Sequence, residues 1–199
     1  MKTVLQLNTS IFSGNGQSSR LADEFVAQLD ADKVVVRDLA SEPVPHLDAE
    51  RFGAFLSKPE TRTREQQSVV DYSDKLIDEL KHADVIVLGL PMYNFGLPSN
   101  LKAYFDHIAR AGVTFRYTEK GSVGLLTGKK AYVFAARGGI YAGTPRDTQT
   151  QYVRDFLAFL GITDVEFVYA EGLAIGEASK TASLAKARES LHNLVPAIA

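Results

Sequence analysis

The chain contains no cysteine. That excludes disulfides, thiolate metal sites and a cysteine nucleophile, and it suits a cytoplasmic protein. Charge of one sign is also missing. Against 22 Lys and Arg stand 24 Asp and Glu, a net charge of -2 with the signs mixed along the chain, so there is no electrostatic case for nucleic acid. No apolar run approaches the length of a membrane span, and no membrane association is expected. The N-terminal "MKTVLQLN" is too short and too alternating for a signal peptide and reads as a first strand. His46, His82, His107 and His192 show no metal-ligand spacing, so no metal is expected. The adjacent acids Asp23–Glu24 and Asp78–Glu79 read as solvated helix positions and not as a glycosidase-type pair. Repeats, low-complexity tracts and domain boundaries are absent too. With 199 residues, 45% hydrophobic and 23% charged, the sequence reads as a single domain over 1–199 with room for a substantial core.

What is present is an alternation of strand and helix signals. Thr3–Asn8 is a short apolar run, followed by Leu21, Ala22, Phe25, Val26 and Leu29 at helical spacing. Lys33–Leu39 is a strand rich in β-branched residues. The stretch "ASEPVPHLDAERFGAFLSKPE" carries three prolines and weak periodicity, so it reads as a long excursion with one set of helical turns. Thr63 and Gln66 form a capping-box pattern ahead of a helix to about His82, whose apolar face uses Val69, Val70, Leu76, Ile77 and Leu80. Asp84–Pro91 is continuously apolar, the signature of a strand covered on both faces. A helix opens near Pro98 and Ser99 and buries Leu101, Tyr104, Phe105 and Ile108. "VTFRYT" alternates between Gly112 and Gly121 and reads as a projecting hairpin or a lid. Lys130–Ala136 is the fourth main strand, Val153, Phe156, Leu157 and Leu160 mark a helix ended by Gly161, and "DVEFVYA" is the fifth strand. Leu184, Ala187, Leu191, Leu194 and Ile198 mark a last helix. Strands alternating with helices imply parallel βαβ units, hence an α/β fold: a doubly wound five-stranded parallel sheet with helices on both faces. Ligands in such folds sit beyond the carboxyl ends of the strands, near the switch in strand order.

Three loops fall at that edge. The first, "NTSIFSGNGQSS", offers Ser10, Gly14, Gly16, Gln17, Ser18 and Ser19 and empties into a helix whose first amides lack internal partners. A phosphate there would meet those amides, the helix dipole and the hydroxyls together. The plainer reading is an N-capped helix after a polar loop. Other phosphate loops fit poorly. A dinucleotide fingerprint begun at Gly14 and Gly16 would need its third glycine at Ser19. "TGKKA" has Lys130 where a Walker hydroxyl belongs, and a receiver pocket would want Asp where Asn8 and Thr9 stand. The second loop, "PMYNFG", places Pro91, Met92, Tyr93, Asn94 and Phe95 after a buried strand. Its aromatics suit the face of a planar ring and Asn94 suits the ring's polar edge, whereas the alternative is that Met92 and Phe95 cap the core. The third, "AARGGIYAGTP", brings Ala136, Arg137, Gly138 and Gly139. Its glycine N–H groups, with Arg137, suit the carbonyl oxygens of a flat heterocycle, and the alternative is a tight turn. A phosphate socket, an aromatic slab and backbone donors together describe flavin mononucleotide (FMN) better than a nucleoside triphosphate or a metal.

At these residues the sequence resembles a known family. "PMYNFGLPSNLKAYFDHIARAGVTFRYTEKG", "ARGG" and "GITDVEFVYAEGLA" are similar to the FMN-dependent NADH-azoreductases, flavodoxin-like quinone reductases, nearly end to end. The resemblance implies bound FMN and NADH or NADPH as donor. It also implies ping-pong two-electron reduction of quinones and cleavage of azo compounds to amines, with hydride passing through flavin N5, so that no side chain is assigned a catalytic role. It further implies a homodimer whose sites draw on both subunits. Carried over residue by residue, Ser10, Gln17 and Ser18 match the phosphate loop, Met92 to Phe95 the ring-holding loop, and Ala136 to Gly139 the third. Two positions depart: many relatives have Ser at Gly16, and Ser or Thr at Ala136. Phe115 and Tyr117 are candidates to wall the substrate pocket of a neighbouring subunit, with core or lid packing as the alternative. The competing class is a flavodoxin-like single-electron carrier, which usually shows a strongly acidic docking surface that this chain lacks.

Overall fold

In a computed structural model, which describes residues 1–195, five parallel strands form one sheet in the order β2-β1-β3-β6-β7. They are β1 (Thr3–Asn8), β2 (Lys33–Asp38), β3 (Val85–Pro91), β6 (Lys130–Ala136) and β7 (Asp164–Ala170). Register pairs Asn8 with Asp38 and Gly89, Pro91 with Ala136, and Ala136 with Ala170. The carboxyl ends therefore line up, and the three loops singled out from sequence leave one edge together. Strand order reverses between β1 and β3, so the crevice between the first two loops is the topological switch point.

Alternation along the strands builds two cores. On one face Leu5, Ile86, Leu88 and Val133 pack against α3 (Arg64–His82), α4 (Ser99–Ile108) and α5 (Thr150–Leu160). On the other, Val4, Val87, Tyr132 and Phe134 pack against α1 (Gln17–Val26) and α6 (Glu177–Leu194). Phe25 of α1 is fully buried against the rings of Tyr132 and Phe134, a burial that stabilises by roughly 1.5–3 kcal/mol. The doubly wound α/β sheet expected from sequence is the observed one.

Several details differ from the sequence reading. The proline-bearing excursion contains a two-turn helix, α2 (Ala49–Leu56), capped by the Asp48 carboxylate on Arg51 N (2.8 Å), and a 3-10 turn at Pro59–Thr61. The first helix starts at Gln17, inside the stretch read as loop. "VTFRYT" forms a hairpin, β4 (Phe115–Thr118) antiparallel to β5 (Gly121–Gly124). That hairpin is no lid over its own chain's loops. Leu126 N donates to Leu160 O (2.8 Å), and a Cβ on Gly124 would overlap the backbone of Leu160 and Gly161, so the hairpin is pressed against the far end of α5. Ile198 lies outside the described residues. Among the described residues no helix is long and apolar enough to cross a membrane.

Candidate cofactor site

The first loop turns from β1 into α1 by way of a 3-10 turn at Ser13–Asn15. Thr9 Oγ1 donates to the Gly89 carbonyl (2.7 Å), fastening the loop to β3. Ser13 is left-handed (φ 53°), and its hydroxyl donates to the Asp38 carboxylate. Gly16 is the N-cap of α1 and brings no capping side chain. A Cβ there would collide with the Ser10 side chain, so glycine lets the first loop close over the start of α1. The first backbone bond into the helix is Arg20 N to Gly16 O (3.0 Å), so the amides of Gln17, Ser18 and Ser19 donate to nothing among the described residues. The Ser18 and Ser19 hydroxyls are buried and without partners among the described residues. Gly89 permits this arrangement, because a Cβ on it would stand 3.1 Å from the Ser18 carbonyl oxygen. The positive end of α1 is thus pressed against the centre of the sheet with free donors, an arrangement that suits a phosphate.

The second loop is a tight turn. Tyr93 and Gly96 exchange backbone bonds (3.3 and 2.9 Å), and the two residues between them, Asn94 (φ 50°) and Phe95 (φ 61°), are both left-handed. Such a turn favours Asn followed by Gly. Phenylalanine at the second place is strained, and its ring is half exposed (51%). The amides of Asn94 and Phe95 donate to no described residue. Tyr93 Oη lies 3.2 Å from Ser10 Oγ and accepts from Ile11 N at 3.3 Å, stitching this loop to the first.

In the third loop Arg137, read from sequence as a partner for a ring's carbonyl oxygens, borders the cavity, and its side chain is fully buried with the guanidinium held by carboxylates. It pairs with Asp147 (2.8 Å) and Glu171 (3.1 Å) and lies over the Tyr169 ring, 5.1 Å from its centroid. A buried cation requires such partners. Burial by itself pushes the Asp147 carboxyl up, but hydrogen bonds from Arg137 and Thr150 outweigh it and hold the group below the ordinary carboxylate value. Glu171 Oε1 also accepts from Tyr141 N and Ala142 N (2.9 Å each), so the ion cluster shapes the loop. The carbonyls of Gly138 and Gly139 accept from Ala174 N (3.0 Å) and Gly172 N (2.8 Å), while their own N–H groups remain undonated among the described residues.

Ser10, Gly16, Gln17, Pro91, Met92, Tyr93, Ala136, Arg137 and Gly138 line one cavity of about 320 Å³. Phe12, Asn15 and Leu173, which sequence reading passed over, complete its wall. Phe12 and Asn15 had a signal, since they lie inside the first loop. Leu173, from the turn after β7, lies within "GITDVEFVYAEGLA", a segment that carried the resemblance without being given a site role. Ser18, Asn94, Phe95 and Gly139 are outside the wall: Ser18 is buried at the foot of α1, and the others sit on the loop turns. Phe115 and Tyr117 are not brought to this cavity by their own chain. Phe115 is a core residue against Phe159 (ring centroids 4.2 Å apart), and Tyr117 is 76% exposed on the distant hairpin. A larger groove of about 470 Å³ runs between β2 and α3 past Thr3, Lys33, Asp71 and Asp78. It opens at the amino ends of the strands and offers charged side chains, with nothing to sandwich an aromatic ring.

Comparison with known proteins identifies the family and the fold. A family model described as a flavodoxin-like fold matches residues 2–195. An FMN-dependent NADH:quinone oxidoreductase of Cellvibrio japonicus is 58% identical over 190 residues, covering 94% of this chain and 96% of that protein. FMN-dependent NADH:quinone oxidoreductase 6 of Burkholderia lata is 55% identical over 195 residues, covering 96% and 98%. Among solved structures, an FMN-dependent NADH-azoreductase from Bacillus anthracis in complex with FMN superposes with a TM-score of 0.85 at 28% identity, covering 98% of this chain and all of that one (100%).

Proposed function

From the premise that this chain belongs to the flavodoxin-like fold family, and within it to the FMN-dependent NADH:quinone oxidoreductases, we propose that it binds FMN in the cavity between its three loops and uses NADH to reduce quinones by two electrons, and azo compounds to amines. The observation that carries the reading is the open end of α1, with three free amides and the buried, partnerless Ser18 hydroxyl beside a cavity walled by Met92 and Tyr93. These residues fit the cofactor: a phosphate completes the donors at α1, and a flat ring completes the apolar wall.

When bound, FMN supplies the redox chemistry, taking a hydride from the nicotinamide and passing two electrons to the acceptor. The chain supplies the rest. Ser10, Gln17 and Ser18 would hold the phosphate at the positive end of α1. Met92 and Tyr93 would hold the ring from the cavity wall, with Phe95 on the turn beside it. The undonated amides of Asn94, Phe95, Gly138 and Gly139 are placed to donate to its polar edge and to stabilise negative charge gathering there. The proposed kinetics are ping-pong, in which NAD⁺ would leave before the quinone takes the same place. The overall balance is NADH + H⁺ + quinone → NAD⁺ + hydroquinone, and an azo bond cleaved to two amines takes two such rounds.

We further infer a homodimer. Ile11, Phe12, Phe95, Ile140 and Ile175 stand exposed on the loops at the site edge, an apolar rim suited to a second copy, whose Tyr117 is then free to close the pocket. The single-electron carrier is disfavoured by the mixed charge and by the names of the curated relatives.

The decisive measurement is the absorption spectrum of the purified protein titrated with FMN, then with NADH without oxygen, then with a quinone. The expected sequence is a stoichiometric yellow complex, full bleaching by one equivalent of NADH per FMN, and colour restored by one equivalent of quinone. Protein that takes up no FMN sinks the reading. Sedimentation at working concentration tests the dimer, with a monomeric mass as the contrary result.

A further inference from the structure

The strained turn at Asn94–Phe95 is held from behind by a segment that contributes nothing to the cavity wall. Gln149, fully buried, donates Nε2 to the carbonyls of Pro91, at the end of β3, and Gly96, which closes the turn (2.9 Å each). The Thr148 hydroxyl donates to the Phe95 carbonyl, inside the turn. This segment is in turn anchored at Asp147, whose Oδ1 accepts from Arg137 Nη2 (2.8 Å) and Thr150 N (3.0 Å). Through Arg137 and Glu171 the same cluster reaches Tyr141 N and Ala142 N of the third loop. Above it, the Phe95 and Tyr141 rings meet edge to face, with centroids 5.5 Å apart.

A left-handed non-glycine residue costs free energy and persists only where its surroundings over-determine it. Here glycine stands one position later, at Gly96, so the chain keeps a bulky, half-exposed ring at the place where glycine would be unstrained. An ordinary hairpin has no reason to do that. We propose that Thr148 and Gln149 are positioning residues for the ring-holding turn, a buckle that keeps the amides of Asn94 and Phe95 undonated and locks the second loop to the third through the Arg137–Asp147–Glu171 cluster. This rests on the proposed function, since the turn matters only if a ring is held there. Neither residue touches the cavity, so the buckle acts through the turn: it sets the position of donors that a bound flavin meets, and with it the rate of hydride transfer.

The test compares the wild type with Gln149→Leu and Thr148→Val by three readouts: FMN affinity from fluorescence quenching, the visible circular dichroism of the bound flavin, and the rate constant of flavin reduction by NADH set against KM for NADH. Each variant loses neutral hydrogen bonds while the phosphate socket stays intact, so FMN binding should weaken roughly three- to tenfold. The reduction rate should fall about tenfold or more at unchanged KM, because misplacement of reacting groups is expressed in the chemical step. The visible dichroism should change in both variants. Thr148 is exposed, so Thr148→Val should keep the melting temperature of the apoprotein, and it decides the question alone if Gln149→Leu does not fold. Wild type that takes up no FMN overturns the proposed function and this inference together. Wild type that binds, beside folded variants with wild-type affinity, dichroism and reduction rate, overturns the inference alone.

Discussion

Two helices of this chain begin in opposite ways. At α3, Thr63 Oγ1 accepts from Gln66 N (3.2 Å) while the Gln66 side chain accepts from Thr63 N (3.0 Å), a complete capping box, and Glu65 sits in the first turn. At α1, the cap is Gly16, with no capping bond and no acidic residue in the first turn, and two buried serine hydroxyls have no partner. The first is a helix end finished for stability, its free amides and dipole answered by its own sequence. The second is left open at the switch point of the sheet. A buried helix end without partners is costly unless something else supplies them, so the contrast between α3 and α1 separates a scaffold element from a binding element.

The largest break in that contrast comes from giving α1 a charge of its own. Ser18→Asp should set a carboxylate where the phosphate belongs, lowering FMN affinity by about a hundredfold or more through like-charge repulsion in a confined site. The melting temperature of the apoprotein should hold or rise, because the new acid complements the dipole. Equal affinity in a fluorescence titration would remove the first loop from the site. Gly89→Ala comes next. Its Cβ meets the Ser18 backbone at 3.1 Å, so α1 must move off the sheet, with a loss of about 1–3 kcal/mol in denaturant unfolding and weaker FMN binding in the same protein. Thr63→Ala should do the reverse of Ser18→Asp: about 1 kcal/mol of stability lost with the cap, and FMN affinity unchanged. An affinity loss comparable to that of Ser18→Asp would erase the distinction between the two helix starts.

The smallest effect is in pH. Asp48 and Glu65 are held below their ordinary values, Asp48 chiefly by accepting from Arg51 N and Glu65 chiefly by its own backbone N–H and the Thr63 hydroxyl. A carboxyl lowered on folding stabilises the protein above its unfolded-state value and loses that contribution as pH falls through the folded one. Melting temperature should therefore decline as pH falls below about 4, and less steeply in Asp48→Asn. The open end of α1 has no such acid, so Ser18→Ala should leave the slope as it is.

Much of this was legible before any coordinates. The capping box at Thr63 and Gln66, the buried run of β3, the hairpin at "VTFRYT" and the Gly161 stop all follow from local chemistry, in which partners lie a few residues apart. So did the convergence of three loops, because parallel strands joined by helices put their carboxyl ends on one edge. The carboxylate partners of Arg137 were not legible. An arginine beside two glycines at a strand end reads as a ligand contact, and only the positions of Asp147 and Glu171, 10 and 34 residues away, turn it inward. Gln149 was passed over for the same reason: its carbonyl acceptors lie 58 and 53 residues back. For Phe115 the sequence left core packing and a neighbour's pocket wall both open, and within its own chain the fold packs it against Phe159 of α5.

The order of strands and helices, the apolar faces, and the loops that carry hydroxyls, glycines and aromatics are all written along the chain, because they are properties of neighbouring residues. The tertiary structure decided which of those groups are left without partners. Whether the amides of α1 and of the Asn94–Phe95 turn stay free, and whether Arg137 faces a ligand or a carboxylate, depends on residues that become neighbours only when the sheet assembles. A hydrogen-bonding group is committed by whatever stands within about 3 Å of it, and distance along the chain does not say what that will be.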